Sequence, residues 1–193
     1  QRQMCIRDRD VMMMTFALFP DLHQGDEFAV NVGSNCYFIS DVSHLTWLPD
    51  RPYTAGEWGY VNGKGRSTTS EIYNTVDGPV YQTWMEDITE YKIDAPAGTY
   101  EVELLMADVS RPARQQANLL GKGDERASAA SKRFDITICG EVVEQNFSPA
   151  DNDRYLNACR RRYIVNNNDG CIDIRFTPLQ GKPVLSGLKV RRL

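Results

Sequence analysis

The sequence predicts an all-β fold, a galactose-binding-like jelly-roll sandwich of antiparallel strands, on three observations. Apolar residues recur at every second position, turn residues punctuate the chain at short intervals, and no long amphipathic helix is visible. Over 99–107, Tyr100, Val102, Leu104 and Met106 share one face, and Glu101 and Glu103 take the other. Phe134, Ile136 and Ile138 alternate with Asp135 and Thr137, and Ile172, Ile174 and Phe176 with Asp173 and Arg175. Successive side chains of a strand point to opposite faces, so this alternation marks half-buried strands.

In chain order the expected strands are 28–32, 71–75, 80–84, 91–95, 99–107, 134–138, 142–147, 160–165, 172–176 and 184–191. Pro96 and Gly98 separate two of them. Cys139-Gly140-Glu141 closes a hairpin, and 166–170 (NNNDG) is rich in residues that tolerate positive φ. One helical turn fits within 151–158. The polar, weakly patterned stretch 109–133 reads as a long excursion between core strands, less ordered than its flanks, because it has few apolar anchors to offset ordering entropy.

The chain has 193 residues, which suits one domain of about 100–200 residues. The domain is assigned to 28–193, with 1–27 outside it. The opening QRQMCIRDR resembles translated sequencing-adapter read-through, so about the first nine residues are set aside. On that reading the gene begins further upstream and the chain is a fragment. No signal-peptide order is legible in 1–20.

Net charge is -4, with 25% charged residues and no basic stripe, a poor match to nucleic acid or an anionic membrane. Arg160-Arg161-Arg162 and Arg191-Arg192 read as solvated strand ends. No apolar run approaches the ~20 residues of a membrane span. Five cysteines without a CxxC pair, and only two histidines, His23 and His44, point to no metal site. No cofactor is expected. Glu86, Asp87, Glu90, Asp108, Asp151 and Asp153 sit in no recognisable acid/base setting and default to surface carboxylates. There is no GxSxG elbow, and Gly63-Lys64-Gly65 and Gly121-Lys122-Gly123 lack the full phosphate-loop pattern.

The aromatics say more. Trp47, Tyr53, Trp58, Tyr60, Tyr73, Tyr81, Trp84 and Tyr91 crowd 47–91, which holds all three tryptophans. A flat ring suits the apolar C–H face of a sugar. Trp47, Tyr81 and Tyr91 read as core. Trp58 and Tyr60, in GEWGYVNGKG, read equally as ligand contacts or loop anchors. Trp84, where VYQT gives way to polar MEDITE, is placed at a strand end with Glu86 beside it.

AVNVGSNCYF (29–38), DVSHLTWLPDRPYTAGEWGYVNG (41–63), VYQTWMEDITEYKIDAPAGTYEVELLMAD (80–108), KRFDITICGEVV (132–143) and GKPVLSGLKVRRL (181–193) together resemble malectin and malectin-like carbohydrate-binding modules. The version resembled is the one at the C-terminus of bacterial family-two glycoside hydrolases of the β-galactosidase type. The resemblance covers roughly 28–193. It implies a jelly-roll sandwich that binds carbohydrate non-catalytically, in a secreted or periplasmic enzyme whose catalytic domain lies upstream. Carbohydrate and that domain are the implied partners.

Glu86 stands where the family's strand-end tyrosine would be. Ser110 and Arg111 replace its paired aromatics, and Gly181 replaces an aspartate, so animal malectin's disaccharide specificity is not carried over. The expected carbohydrate-binding residues are Trp58, Tyr60, Trp84, Glu86 and Asp108, on an end of the sandwich built from 53–65, 84–90 and 108–112. The alternative is a purely structural domain packed on the catalytic one.

Overall fold

The computed structural model describes residues 24–109, 132–150 and 155–193. Six strands form one sheet, in the order β11 (Cys159–Asn167), β8 (Gly98–Met106), β14 (Gly187–Arg192), β1 (Glu27–Asn31), β3 (Thr46–Pro49), β2 (Phe38–Ile39). Five form a second, in the order β10 (Glu141–Phe147), β9 (Arg133–Ile138), β12 (Cys171–Gln180), β7 (Glu90–Asp94), β4 (Trp58–Tyr60). A ribbon of three, β13 (Val184–Leu185), β6 (Thr83–Glu86) and β5 (Lys64–Ser67), completes the fold. One short helix, α1 (Gly78–Tyr81), precedes β6.

This is an all-β sandwich. The inward sides of the alternating strands, among them Val30, Tyr91, Val102, Leu104, Ile136 and Ile174, meet in one core. Among the described strands pairing is antiparallel except between β1 and β3, which run parallel with Val30 opposite Leu48; the isolated bridges Pro52–Tyr60 and Tyr73–Asn157 are also parallel. At one end the six-stranded sheet is buried on both faces. Ala29 and Leu105, which alternate outward from Val30 and Leu104, pack with Trp47, Ile72, Val80 and Tyr81 in a second cluster. Gly187 makes this possible. A Cβ there would lie 2.8 Å from Val80 Cγ1 and 3.3 Å from Trp47 Cζ3.

The strand expected at 80–84 is instead α1 followed by β6. Pro79 at the start of the helix has φ preset for a first helical turn and no N–H to contribute to a ladder. The strand expected at 71–75 reduces to a single bridge, Tyr73 to Asn157, because Ile72 turns into the second cluster and Asn74 takes φ 61°. The one expected at 184–191 is interrupted at Ser186 into β13 and β14. Most of the 109–133 excursion and the first half of the 151–158 turn lie outside the described residues.

Register shows which loops share an end. Asn31 at the close of β1 faces Gly187, and Met106 at the close of β8 faces Cys159. The short link from Asp94 to Gly98 ties the opposite ends of the two sheets. The connections 32–37, 61–89 and 181–186 therefore gather at the first end, where the three-stranded ribbon sits.

Candidate functional site

The ribbon builds the site. Ser67 of β5 pairs with Thr83, Arg66 with Trp84 and Lys64 with Glu86. Beyond β5 the hydroxyl run Ser67-Thr68-Thr69-Ser70 turns back against α1. The Thr68 N–H donates to the Gln82 carbonyl at 2.9 Å. Gln82 Nε2 donates to the Ser70 carbonyl at 3.0 Å. The Ser70 N–H donates to Thr68 Oγ1 at 3.1 Å. Between these walls lies a groove of about 420 Å³ lined by Ser67, Thr68, Thr69, Pro79, Gln82 and Thr83. Behind it, Thr83 Oγ1 donates at 2.8 Å to Oδ1 of Asn31, a residue with no exposed surface. Among the described residues the lining is hydroxyl, carboxamide and one pyrrolidine ring, with no ionisable side chain. These groups offer hydrogen-bond donors and acceptors.

The residues singled out by sequence lie elsewhere. Trp58 is 3% exposed. Its ring sits 5.1 Å from Phe28, edge to face, and the Arg51 guanidinium lies 3.5 Å from its centroid. In this setting Trp58 packs as an anchor of β4 and presents almost no surface to solvent. The Asp108 side chain has no exposed surface and is ion-paired with Lys132. Trp84 is 7% exposed and lies inside β6 opposite Arg66, not at a strand end. The trend of its strand toward MEDITE misleads because β6 continues through Glu86.

Tyr60, half-buried, closes β4 opposite Tyr91, its phenol pushed up mainly by burial and then by Asp50. Glu86 closes β6, ion-paired with Arg66 at 3.1 Å. None of the five lines the groove. Sequence reading missed Ser67, Thr68, Thr69, Gln82 and Thr83. For the first three the signal was the hydroxyl run STTS at 67–70; Gln82 and Thr83 carried none.

A half-buried carboxylate supports this end. Asp50 accepts the N–H of Gly33 and of Arg51, each at 2.9 Å, and the O–H of Tyr91 at 3.0 Å. Burial still pushes its carboxyl up to about 6. Gly33, in the left-handed region at φ 78°, passes directly under the backbone of Trp84. Asp50 thus ties the loop after β1 to β7 and, through Gly33, to the ribbon. Among the described residues no three His, Cys, Asp or Glu side chains gather as a metal site. Nor is any helix among them long and apolar enough to cross a membrane.

A Malectin domain family model matches residues 27–187. Among solved structures, a Bacteroides uniformis β-glucuronidase superposes with a TM-score of 0.76 at 45% identity, covering 87% of this chain and 18% of that one. Bacteroides uniformis β-glucuronidase 2, covalently bound to cyclophellitol-6-carboxylate aziridine, gives 0.76 at 44% identity over 88% of this chain and 18% of its own. The plant receptor-like kinase FER gives 0.62 at 15% identity, over 87% of this chain and 42% of that chain, a likeness of fold alone. No curated protein matches the chain. The chain spans 18% of the length of the β-glucuronidases it resembles.

Proposed function

The chain belongs to the malectin domain family, and we propose that it is a non-catalytic carbohydrate-binding domain, an accessory part of a secreted or periplasmic bacterial glycoside hydrolase with its catalytic domain upstream. The observation that carries this reading is the hydroxyl- and amide-lined groove at the loop end of the sandwich. It supplies the donors and acceptors a sugar needs and no catalytic pair. Glu86, at the far end of β6 from Thr83, adds a polar group along the ribbon that a longer glycan would cross. The hydrolase context is supported by 45% identity to a β-glucuronidase over 87% of the chain. A parent of that type is better supported than the β-galactosidase type expected from sequence.

Hydrogen bonds exchanged with water contribute only about 0.5–1.5 kcal/mol each. A shallow groove offering a few of them binds with a Kd of about 1 mM to 1 μM, or roughly -4 to -8 kcal/mol. Tethered to a catalyst, even such weak binding raises the enzyme's effective concentration at a polysaccharide. Calorimetric titration of the chain with galactose- and glucose-containing oligosaccharides tests the proposal. Binding in that range, with no hydrolysis of aryl glycosides, is expected. Absence of heat across the panel at millimolar sugar supports the structural alternative instead, and hydrolysis by the chain itself overturns the non-catalytic reading.

A further inference from the structure

We infer that Asn31, which has no exposed surface, is a positioning residue for the groove: it turns the Thr83 hydroxyl into an acceptor for a sugar O–H, an inference that rests on the sugar-binding reading above. Asn31 closes β1, opposite Gly187 and beside Pro49 of β3. Its chain neighbours Val30 and Val32 both belong to the apolar core. A carboxamide enclosed there gives up its hydration, which a hydrogen bond must offset. That bond comes from the ribbon. Thr83, at the start of β6, donates its hydroxyl hydrogen to Asn31 Oδ1 at 2.8 Å. Asn31 Nδ2 finds no acceptor among the described residues. A half-satisfied buried amide is a poor choice for stability alone, since an apolar side chain of similar shape leaves no donor unpaired. What Asn31 does to Thr83 accounts for its place.

Thr83 lines the groove. A hydroxyl carries a single hydrogen, and an amide oxygen can only accept. With that hydrogen held from behind by Asn31, Thr83 Oγ1 keeps its lone pairs and meets a ligand as an acceptor. Donors stand around it. Thr68 Oγ1 accepts the Ser70 N–H at 3.1 Å, which leaves its own hydrogen to give. Gln82 Nε2 spends one hydrogen on the Ser70 carbonyl at 3.0 Å and keeps the second. An acceptor of fixed direction among donors suits the hydroxyls of a sugar, each of which both gives and accepts. A hydroxyl already oriented also loses less freedom when the ligand arrives. Without Asn31 the Thr83 hydroxyl turns among its rotamers, and its ordering falls on the binding step.

A double-mutant cycle on the full chain tests this, with affinity for cellobiose and for lactose read by calorimetry. Asn31→Ala is expected to weaken binding of at least one of them about two- to tenfold in the wild-type background. It should change nothing once Thr83→Val has removed the hydroxyl. Equal losses in the two backgrounds mean that Asn31 only supports the fold, and overturn the inference; so does no loss in either. A second measurement needs only Thr83→Val, at a half-buried position, and answers even where Asn31→Ala unfolds. The Asn31 side-chain amide resonance should shift as sugar saturates the wild type and stay still in sugar-saturated Thr83→Val. A resonance that is unmoved in the wild type, or moves equally in both, overturns the inference and leaves the sugar-binding reading standing. No binding of either disaccharide by the wild type overturns both.

Discussion

Gly33→Ala probes the support beneath the ribbon. Gly33 holds φ 78°, and a Cβ built there lies 2.4 Å from the carbonyl carbon and 2.5 Å from the carbonyl oxygen of Trp84. Those are backbone atoms of β6, so no side-chain rotation relieves the contact. An L side chain in the left-handed region costs about 1–2 kcal/mol and overpacking about 1–3, so the expected loss is about 2–5 kcal/mol. Gly140→Ala is the control. Its φ is 79°, yet nothing lies within 4 Å of its added Cβ, so it should cost only the conformational part, about 1 kcal/mol. Urea unfolding followed by tryptophan fluorescence gives both midpoints at unchanged slope. A shift of β6 also moves Thr83 in the groove, so sugar affinity should fall with Gly33→Ala and hold with Gly140→Ala. Equal destabilisation by the two substitutions refutes the claim that close approach to Trp84 is what requires Gly33.

Trp58→Ala should destabilise the domain by about 3–5 kcal/mol, as a core cavity does, while sugar affinity of the remaining folded molecules stays unchanged; a selective loss of affinity returns Trp58 to the site. Asp50 titrates at about 6 in the folded state against an ordinary 3.8, so the folded state keeps its proton longer than the unfolded chain. Its stabilisation is full below 3.8 and is lost as pH rises through about 6. Wild-type stability relative to Asp50→Asn should therefore fall by up to about 3 kcal/mol between acid and neutral pH, read from urea midpoints; a flat difference contradicts this. Glu103, with a side chain 4% exposed, receives Arg160 at 2.9 Å and Arg162 at 3.1 Å. Both arginines are more than half exposed, so Glu103→Gln should cost only about 1–3 kcal/mol, less in high salt.

The long strands were legible because burial on one face leaves a period-two trace. Tyr100 to Met106, Phe134 to Ile138 and Ile172 to Phe176 all sit where alternation put them. The short strands β2 to β5 were not legible: two to four residues are too few to show a period. The helix at Gly78–Tyr81 was hidden because Val80 and Tyr81 carry strand-like side chains, and Pro79 was the one local cue. Trp47, Tyr81 and Tyr91 were read as core and are buried. Aromatic character marks both ligand platforms and anchors, so it could not choose between them. Trp58 is packed by Phe28, thirty positions earlier, and by Arg51. The groove depends on Ser67 meeting Thr83 across a ribbon, and on Gln82 reaching back to Ser70. Neither pairing leaves a pattern in the local sequence.

Backbone amide shifts of the isotope-labelled chain, followed while a neutral disaccharide is added to millimolar concentration, test the central claim most directly. The account predicts changes that saturate and concentrate at Ser67, Thr68, Thr69, Gln82 and Thr83, with the outer face of the five-stranded sheet silent. Changes centred on that outer face, or none anywhere, contradict it.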